Sequence, residues 1–443
     1  MNKIINLFLL GFLMAGLWSC ASGPSIESGS QIPGPHKEQQ LEMGKVDVPQ
    51  ERAVVYTGLD VLEKMNYEPL VGKTVGVITN HTAVNKQGIH LVDLLDAASD
   101  VTVGAIFAPE HGFRGDYQGG DDIPGGVDSK TGASIYSLYG DSREPSKEMM
   151  SGLDVLVFDI QDVGARFYTY ISTMGYVLEA GAKYKIPVMI LDRPNPLGRE
   201  VGGKVLDEGF ESFVGRYKIP IRYGLTMGEL ARMIIGEHLI PDLGPIQLHV
   251  VECEGWKADS YWQETDLEWI PPSPNMRNTN ETLTYPGLCL LEGVQISEGR
   301  GTEHPFELIG APYIEADRLI KQLLASGLKG FILEQVTFVP QDMPGVAMNP
   351  IFKGEEINGF RISVTEPHEF KPVEFLIHLL VIVKKDYPND FGWRSERGPD
   401  RLWGSDSLRR MVDDGSSAEE IIAVYQEELL QFKESREKYL IYD

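Results

Sequence analysis

The sequence predicts an α/β protein: a Rossmann-like, doubly wound, mostly parallel sheet followed by a second, smaller α+β domain. Three observations carry this expectation. Short apolar runs alternate with amphipathic stretches through roughly the first 250 residues, which is the order of successive β-α-β units. Four of those runs stop at a dense group of polar residues, as strands do when ligands gather outside the carboxyl edge of a parallel sheet. Beyond residue 286 the alternation gives way to helices and short strands of mixed order. A chain of 443 residues is too long for one ordinary core, and the expected domain bounds are 53–285 and 286–443.

The first helix is expected within Val54–Glu68, where apolar residues recur at helical spacing and Thr57 can cap. The first strand is Lys73–Thr79, stopping at Asn80, His81 and Thr82. A helix over Gln87–Ala98 leads to the second strand, Val101–Ala108, which runs into Pro109, Glu110, His111, Gly112, Phe113 and Arg114. This β-α-β order calls for a right-handed crossover and parallel pairing. Gly115–Gly132 has neither helical nor strand period and reads as a long loop leaving the functional edge. Its glycines lack the GxxxxGK[ST] arrangement of a phosphate loop.

The third strand, Asp154–Ile160, ends in Gln161, Asp162 and, a few residues on, Arg166, Phe167, Tyr168 and Tyr170. A helix over Ile171–Lys185 and a fourth strand over Ile186–Leu191 follow. That strand ends in Asp192, Arg193, Pro194 and Asn195, whose prolines hold a rigid loop. Thr226–Leu239 is an amphipathic helix with Thr226 as N-cap and Glu229 completing a capping box. Ile246–Val251 is a further strand, and no strand is followed by the GxGxxG of a dinucleotide site. Ile270–Pro286, rich in proline and asparagine, reads as a connection between domains. Beyond it come the polar knot around Glu298 and Arg300, a helix over Ala316–Ser326, strands over Gly330–Leu333, Val336–Val339 and Gly359–Val364, a helix over Pro372–Asp386 and a closing helix over Ser416–Tyr439.

A formal net charge of −25 argues against nucleic-acid binding, which draws most of its affinity from clustered Lys and Arg. At the N-terminus Lys3 precedes an apolar run from Ile4 to Trp18 that is too short to span a bilayer comfortably, and Ser19 and Cys20 follow. Residues 1–20 read as a signal peptide whose end resembles a bacterial lipobox, with Cys20 as the lipidated residue. Residues 21–52, rich in Ser, Gly, Pro, Gln and Glu, read as a flexible tether. The expected location is outside the cytoplasm, as a cell-envelope lipoprotein in the periplasm held to the outer membrane by that lipid alone. Cys253 and Cys289 could form one disulfide or remain free and buried. Neither CxxC nor HExxH occurs, so no structural zinc site is expected.

Parallel strands place Asn80 and His81, then Glu110, His111 and Arg114, then Asp159, Asp162 and Arg166, then Asp192, Arg193 and Asn195 on one sheet edge. With Glu298 and Arg300 they would form a cleft between the domains. Carboxylates among arginines and imidazoles suit general acid and base work such as glycoside hydrolysis, and Glu110 is the first choice for the acid. Arginines there would suit a substrate bearing a carboxylate, and Tyr168, with Phe167 and Tyr170, leaves stacking on a sugar ring open. Two other readings compete. His81, His111 and Asp159 could ligate a metal in an amidohydrolase or deacetylase acting on cell-wall glycans. Alternatively the protein binds cell-wall fragments without catalysis.

The blocks GVITNHTAV, IFAPEHGFRGDYQGG, FDIQDVGARFYTYISTM, LDRPNPLGREVGG, PPSPNM, SEGRGTEHPFELIGAP and WGSDSLRRMVDDG occur in that order, from residue 76 to residue 415. In them the sequence resembles the NamZ-type exo-β-N-acetylmuramidases, a glycoside hydrolase family. The resemblance implies release of N-acetylmuramic acid from non-reducing ends of peptidoglycan fragments, with no cofactor. It implies Glu110 and Glu298 as catalytic carboxylates. It further implies sugar or lactyl contacts from Asn80, His111, Arg114, Asp159, Arg166, Asp192 and Arg300.

Overall fold

The computed structural model describes residues 52–113, 125–140, 143–395 and 398–443. Cys20, the signal peptide, nearly all of the tether and Arg114 lie outside the described residues. Twelve strands are assigned among them: β1 (Lys73–Thr79), β2 (Val101–Ala108), β3 (Gly126–Val127), β4 (Ser134–Ser137), β5 (Val155–Asp159), β6 (Val188–Leu191), β7 (Gly202–Val205), β8 (Pro220–Arg222), β9 (Leu248–Val251), β10 (Leu308–Ala311), β11 (Phe331–Phe338) and β12 (Ile357–Val364).

The main sheet has the order β3-β4-β2-β1-β5-β6-β9. Every pair in it is parallel except β3 with β4. Counting the six parallel strands in chain order gives 3-2-1-4-5-6, the doubly wound arrangement whose direction reverses between β1 and β5. Loops leaving these two neighbours diverge, and a crevice opens where they part.

Alternation along the strands explains why both faces are covered. Val75, Val77, Val103, Ile106, Val155 and Val157 pack with α1 (Gly58–Lys64) and α2 (Leu91–Ala97) through Leu59, Leu62, Leu91 and Leu95. Ile78, Phe107, Leu156, Phe158 and Ile190 point the other way, onto α3 (Tyr170–Tyr184) and α4 (Met227–Gly236) through Ile171, Met174, Leu230 and Ile234. Strand side chains alternate faces with period two, so strands buried on both sides are apolar throughout, as the sequence showed. Thr226 caps α4, and Glu229 returns the hydrogen bond in the expected capping box.

The second apolar cluster continues without a break into the C-terminal part. It takes in Ile309, Phe360 and Ile362 of a three-stranded antiparallel sheet in the order β10-β12-β11, and the helices α5 (Thr279–Leu288), α6 (Ala316–Ala325) and α7 (Pro372–Asp386). The short helices α8 (Gly398–Trp403), α9 (Ser407–Asp413), α10 (Ala418–Ala423) and α11 (Gln426–Arg436) complete the chain. Residues 50–443 form one compact unit.

Four expectations need correction. The two short strands proposed over 330–339 are one continuous strand, β11, because its residues pair with β12 without interruption. The closing helix is two, broken at Tyr425, a buried ring that packs edge-on against Trp403. Ile270–Pro286 is only partly a connection, since Asn278 caps α5 in a capping box with Glu281 and the helix carries Pro286 inside it. The glycine-rich passage, read as free of strand, contains β3, which pairs antiparallel with β4 just beyond it, and β4 in turn pairs parallel with β2. Its half-buried Ser-Ile-Tyr-Ser lacks a continuous apolar run.

Arg166 ties the two parts together. Its side chain is fully buried, and Nη1 donates to the carbonyls of Lys204 and Ile219 at 2.7 and 2.8 Å, while Nη2 donates to those of Leu402 and Trp403 at 2.9 and 2.7 Å. Burial lowers its pKa to about 9. Gly404, at φ +90°, leaves room for this: a Cβ there would stand 2.6 Å from Nη2. Arg166→Met keeps the volume and removes the hydrogen bonds to four carbonyls, of which that of Ile219 keeps the amide of Leu206 as a second donor. It should lower unfolding free energy by about 3–5 kcal/mol, read from urea denaturation followed by tryptophan fluorescence.

Candidate active site

β2 delivers Glu110 to the edge of the sheet, one residue past Pro109. The turn that carries it is tight. The Gly112 amide donates to the Pro109 carbonyl at 2.9 Å, and His111 and Gly112 both sit at positive φ, +72° and +78°. Glycine accepts that conformation freely but histidine does so at a cost, a pattern found where a loop is held for function. Glu110 is half-buried. Thr169 stands at the N-cap of α3 yet makes no cap hydrogen bond. Its hydroxyl donates instead to Glu110 Oε2 at 2.5 Å, so the carboxyl is set against the start of a fifteen-residue helix, where negative charge is favoured.

Two adjoining cavities meet at this carboxyl. The narrower, of about 180 Å³, is lined by Glu110, His111, Phe167, Tyr168, Ser273, Asn275, Tyr285, Cys289, Glu292, Arg300 and Phe306, among others. Its aromatic wall is interlocked edge to face: Tyr168 meets Tyr285 at 5.9 Å between ring centroids, and Tyr285 meets Phe306 at 4.9 Å. The wider, of about 650 Å³, shares Glu110, Glu292 and Arg300 and adds Glu298, Arg394 and the segment 346–351. Glu110, Glu298 and Arg300 are therefore brought together, as expected.

Glu298 is 3% exposed, and its Oε2 has no hydrogen-bond partner among the described residues. Burial, reinforced by the negative charge of Glu292 and opposed by Arg300, pushes its pKa up to about 7. Glu292 was not singled out in the sequence. Its Oε1 takes both Nε and Nη2 of Arg300, at 2.9 and 2.7 Å, while Arg300 Nε lies 3.7 Å from Glu298 Oε1. One guanidinium thus serves two carboxylates. Asn275 donates to the Val346 carbonyl at 2.7 Å and leaves its buried Oδ1 without a partner beside the narrower cavity.

His111 and Tyr168 line the narrower cavity, but several other expected contacts do not face either one. Asp159 is fully buried against Arg193, which donates Nε at 2.5 Å and Nη2 at 3.1 Å to its two oxygens. Asp162 accepts from the Tyr223 hydroxyl and from the Gly164 amide, and burial pushes its pKa up to about 7. Arg166 is spent on the four carbonyls described above. Asp192 accepts from the Gly228 amide, the Thr226 hydroxyl and the Tyr442 hydroxyl, tying α4 to the chain's end. Asn195 closes its own turn, accepting from Leu197 and donating to Leu225. His81 Nε2 lies 2.7 Å from the Pro271 carbonyl. Asn80 donates to the Tyr170 hydroxyl, which in turn donates to the Pro272 carbonyl at 2.8 Å, so it positions the wall and not the ligand. The physical reason is shared: these buried groups spend their hydrogen bonds on neighbouring backbone and side chains.

The metal reading loses its ligand set in the same way, since Asp159 is committed to Arg193. No group of three or more His, Cys, Asp or Glu suited to a metal occurs among the described residues. Cys253 and Cys289 are both free and buried. Thr169, Glu292 and Arg394 escaped the sequence reading. A signal existed for Thr169, next to Tyr168 in the block after β5; none marked Glu292 or Arg394.

Comparison with known proteins decides the family. The model described as exo-β-N-acetylmuramidase NamZ, N-terminal, matches residues 75–280, and its C-terminal counterpart matches residues 283–442. The chain belongs to the NamZ exo-β-N-acetylmuramidase family. It is 39% identical, over the full length of both chains, to the peptidoglycan β-N-acetylmuramidase NamZ of Bacillus subtilis (strain 168). Two crystal structures of DUF1343 family proteins from Bacteroides fragilis NCTC 9343 are also similar. One is 35% identical with a TM-score of 0.81 and the other 34% with 0.70, each match covering 88% of this chain and 99% of the other. The chain is accordingly a glycosidase of this family.

In this NamZ-family chain, Glu298 couples the site to stability. A carboxyl with a folded pKa near 7 binds more protons folded than unfolded between about pH 4.5 and 7, so its contribution is complete below that window and is lost as pH rises through it. Glu298→Gln should therefore gain stability relative to the parent as pH is raised from 4.5 to 7, by on the order of 2 kcal/mol. Chemical denaturation of both proteins across that range measures the difference.

Proposed function

We propose that this protein releases N-acetylmuramic acid from the non-reducing ends of peptidoglycan fragments, with Glu110 as general acid and base. The observation that carries the reading is the convergence of Glu110, Glu292 and Glu298 on one cavity of about 650 Å³. Cleaving a glycosidic bond needs a proton delivered to the departing oxygen and a partner that handles the attack on the anomeric carbon. Glu110 stands at the junction of the two cavities, its carboxyl held by Thr169, where the linkage between sugar and leaving group would lie. It gives its proton to that oxygen.

Glu298 is the second carboxyl. Enclosed and close to half-protonated at neutral pH, it can take a proton from water or support the charge that develops at the anomeric carbon. Arg300 keeps Glu292 and Glu298 from repelling each other out of the cavity. The aromatic wall of Tyr168, Tyr285 and Phe306 offers an apolar face to the sugar. The division into catalytic residues 53–285 and a flanking part, 286–443, belongs to the same proposal, since Glu110 comes from the first and Glu298 from the second.

We also propose export and anchoring of the chain through Cys20, which would hold the enzyme in the periplasm at the outer membrane, where such fragments arise. No helix among the described residues is long and apolar enough to cross a membrane.

The test uses a chromogenic N-acetylmuramic acid glycoside and its N-acetylglucosamine counterpart. The parent protein should release chromophore faster from the former, and Glu110→Gln should lower kcat/KM by about 10²–10⁴-fold without loss of the folded state. Saturable binding with no free sugar released would favour the binding-only alternative. Activity abolished by a chelator and restored by zinc would favour the amidohydrolase.

A further inference from the structure

Arg300 was one of the arginines, with Arg114 and Arg166, expected among the sugar or lactyl contacts, and its geometry leaves it poorly placed to hold a lactyl carboxylate. Nε and Nη2 both close on Glu292 Oε1, and its guanidinium is backed by the Phe306 ring, 5.0 Å from the centroid. A guanidinium recognises a carboxylate best by presenting two parallel donors, and one edge here is already taken.

The wider cavity has one other described cation. Arg394 sits just after Trp393, exposed; its amide donates to the Gly293 carbonyl at 2.8 Å, and its side chain donates from Nη1 to the backbone carbonyl of Glu292 at a long 3.3 Å. It makes no ion pair with any described residue. It lines the wider cavity together with Glu110 and Glu298 and is absent from the narrower, aromatic one. Its charge is felt at Glu298. With Glu110, Glu292 and Glu298 in this cavity and Arg300 already paired with Glu292, a substrate anion entering it would be repelled unless another cation met it.

We propose that Arg394 is the specificity-determining residue that pairs with the lactyl carboxylate of the substrate. This rests on the muramidase reading and names the group in it that separates muramic acid from glucosamine. The placement orients the sugar. Its 3-O-lactyl arm reaches toward Arg394 in the wider cavity, the ring lies by the aromatic wall, and the anomeric carbon stays between Glu110 and Glu298. The backbone contact to Glu292 holds the guanidinium near the Arg300–Glu292 pair without using up its outer edge.

The discriminating probe is a pair of chromogenic N-acetylmuramic acid glycosides, one with a free lactyl carboxylate and one with its methyl ester, which keeps the shape and removes the charge. In the parent protein the acid is preferred. In Arg394→Ala the acid-to-ester ratio of kcat/KM should fall by about ten- to a hundredfold, and Arg394→Lys, a point charge without the fork, should fall between. An unchanged ratio in Arg394→Ala, or equal losses on both glycosides, overturns the proposal. Calorimetry of N-acetylmuramic acid and its methyl ester against parent and Arg394→Ala reads the same discrimination without turnover. If the parent hydrolyses neither glycoside, the muramidase reading fails, while loss of acid-over-ester binding on substitution still upholds Arg394, and retention still overturns it.

Discussion

The arrangement depends on a constraint at the carboxyl edge of the sheet: polar groups that leave water there must find partners within the protein. Where the strand order reverses between β1 and β5, loops part and regular pairing ends, so backbone carbonyls and amides are orphaned in a dry interior. Arg166 answers four carbonyls, Asp192 answers the start of α4, and Asn195 answers its own turn. The Asp159–Arg193 pair lies at the same edge, neutralised internally. The sheet edge is polar first because folding requires it. That internal accounting is left open at Glu298 Oε2 and Asn275 Oδ1 beside the cavities, and also at Asp162 Oδ1 and Gln161 Oε1.

This explains how much could be read in advance. β1, β2 and the capping box on α4 were legible because two-sided burial and cap geometry leave direct marks on residue type. Glu110 was singled out because it follows an apolar strand and a proline in a chain where three other apolar runs also end in polar groups, and the structure places it at the cavity edge. Asp159 and Arg166 carried the same mark and a different role. Sequence places a polar residue at a strand end, but whether it turns toward solvent or toward a carbonyl two hundred residues away depends on contacts such as Arg166 with Trp403. Glu292 was illegible for the converse reason. It lies in a short 3-10 segment after α5, among Leu290, Leu291 and Val294, with nothing in its neighbours to set it apart.

The cavity's electrostatics are held near balance by one side chain. Glu292 and Glu298 lie on either side of Arg300, and the guanidinium is far closer to the first, at 2.7 Å, than to the second, at 3.7 Å. The inequality matters chemically. Glu292 has the stronger counter-ion, while Glu298, deeper and less compensated, has its proton affinity raised toward neutrality by burial. Two carboxyls in one cavity thus stand in different surroundings, which is the condition for assigning them different tasks.

Thr169 forgoes its helix cap and holds Glu110. A threonine at a helix N-cap ordinarily accepts from the first turn, and forgoing that bond costs on the order of 1 kcal/mol. α3 has fifteen residues and packs against β5 and β6, so it can bear the loss. The hydroxyl is directed at Glu110 instead and donates to its carboxylate. The bond from Thr169 holds the carboxyl on a turn already strained at His111. The strain and the missing cap are two halves of one arrangement: the turn brings Glu110 to the cavity, and the hydroxyl keeps it aimed there.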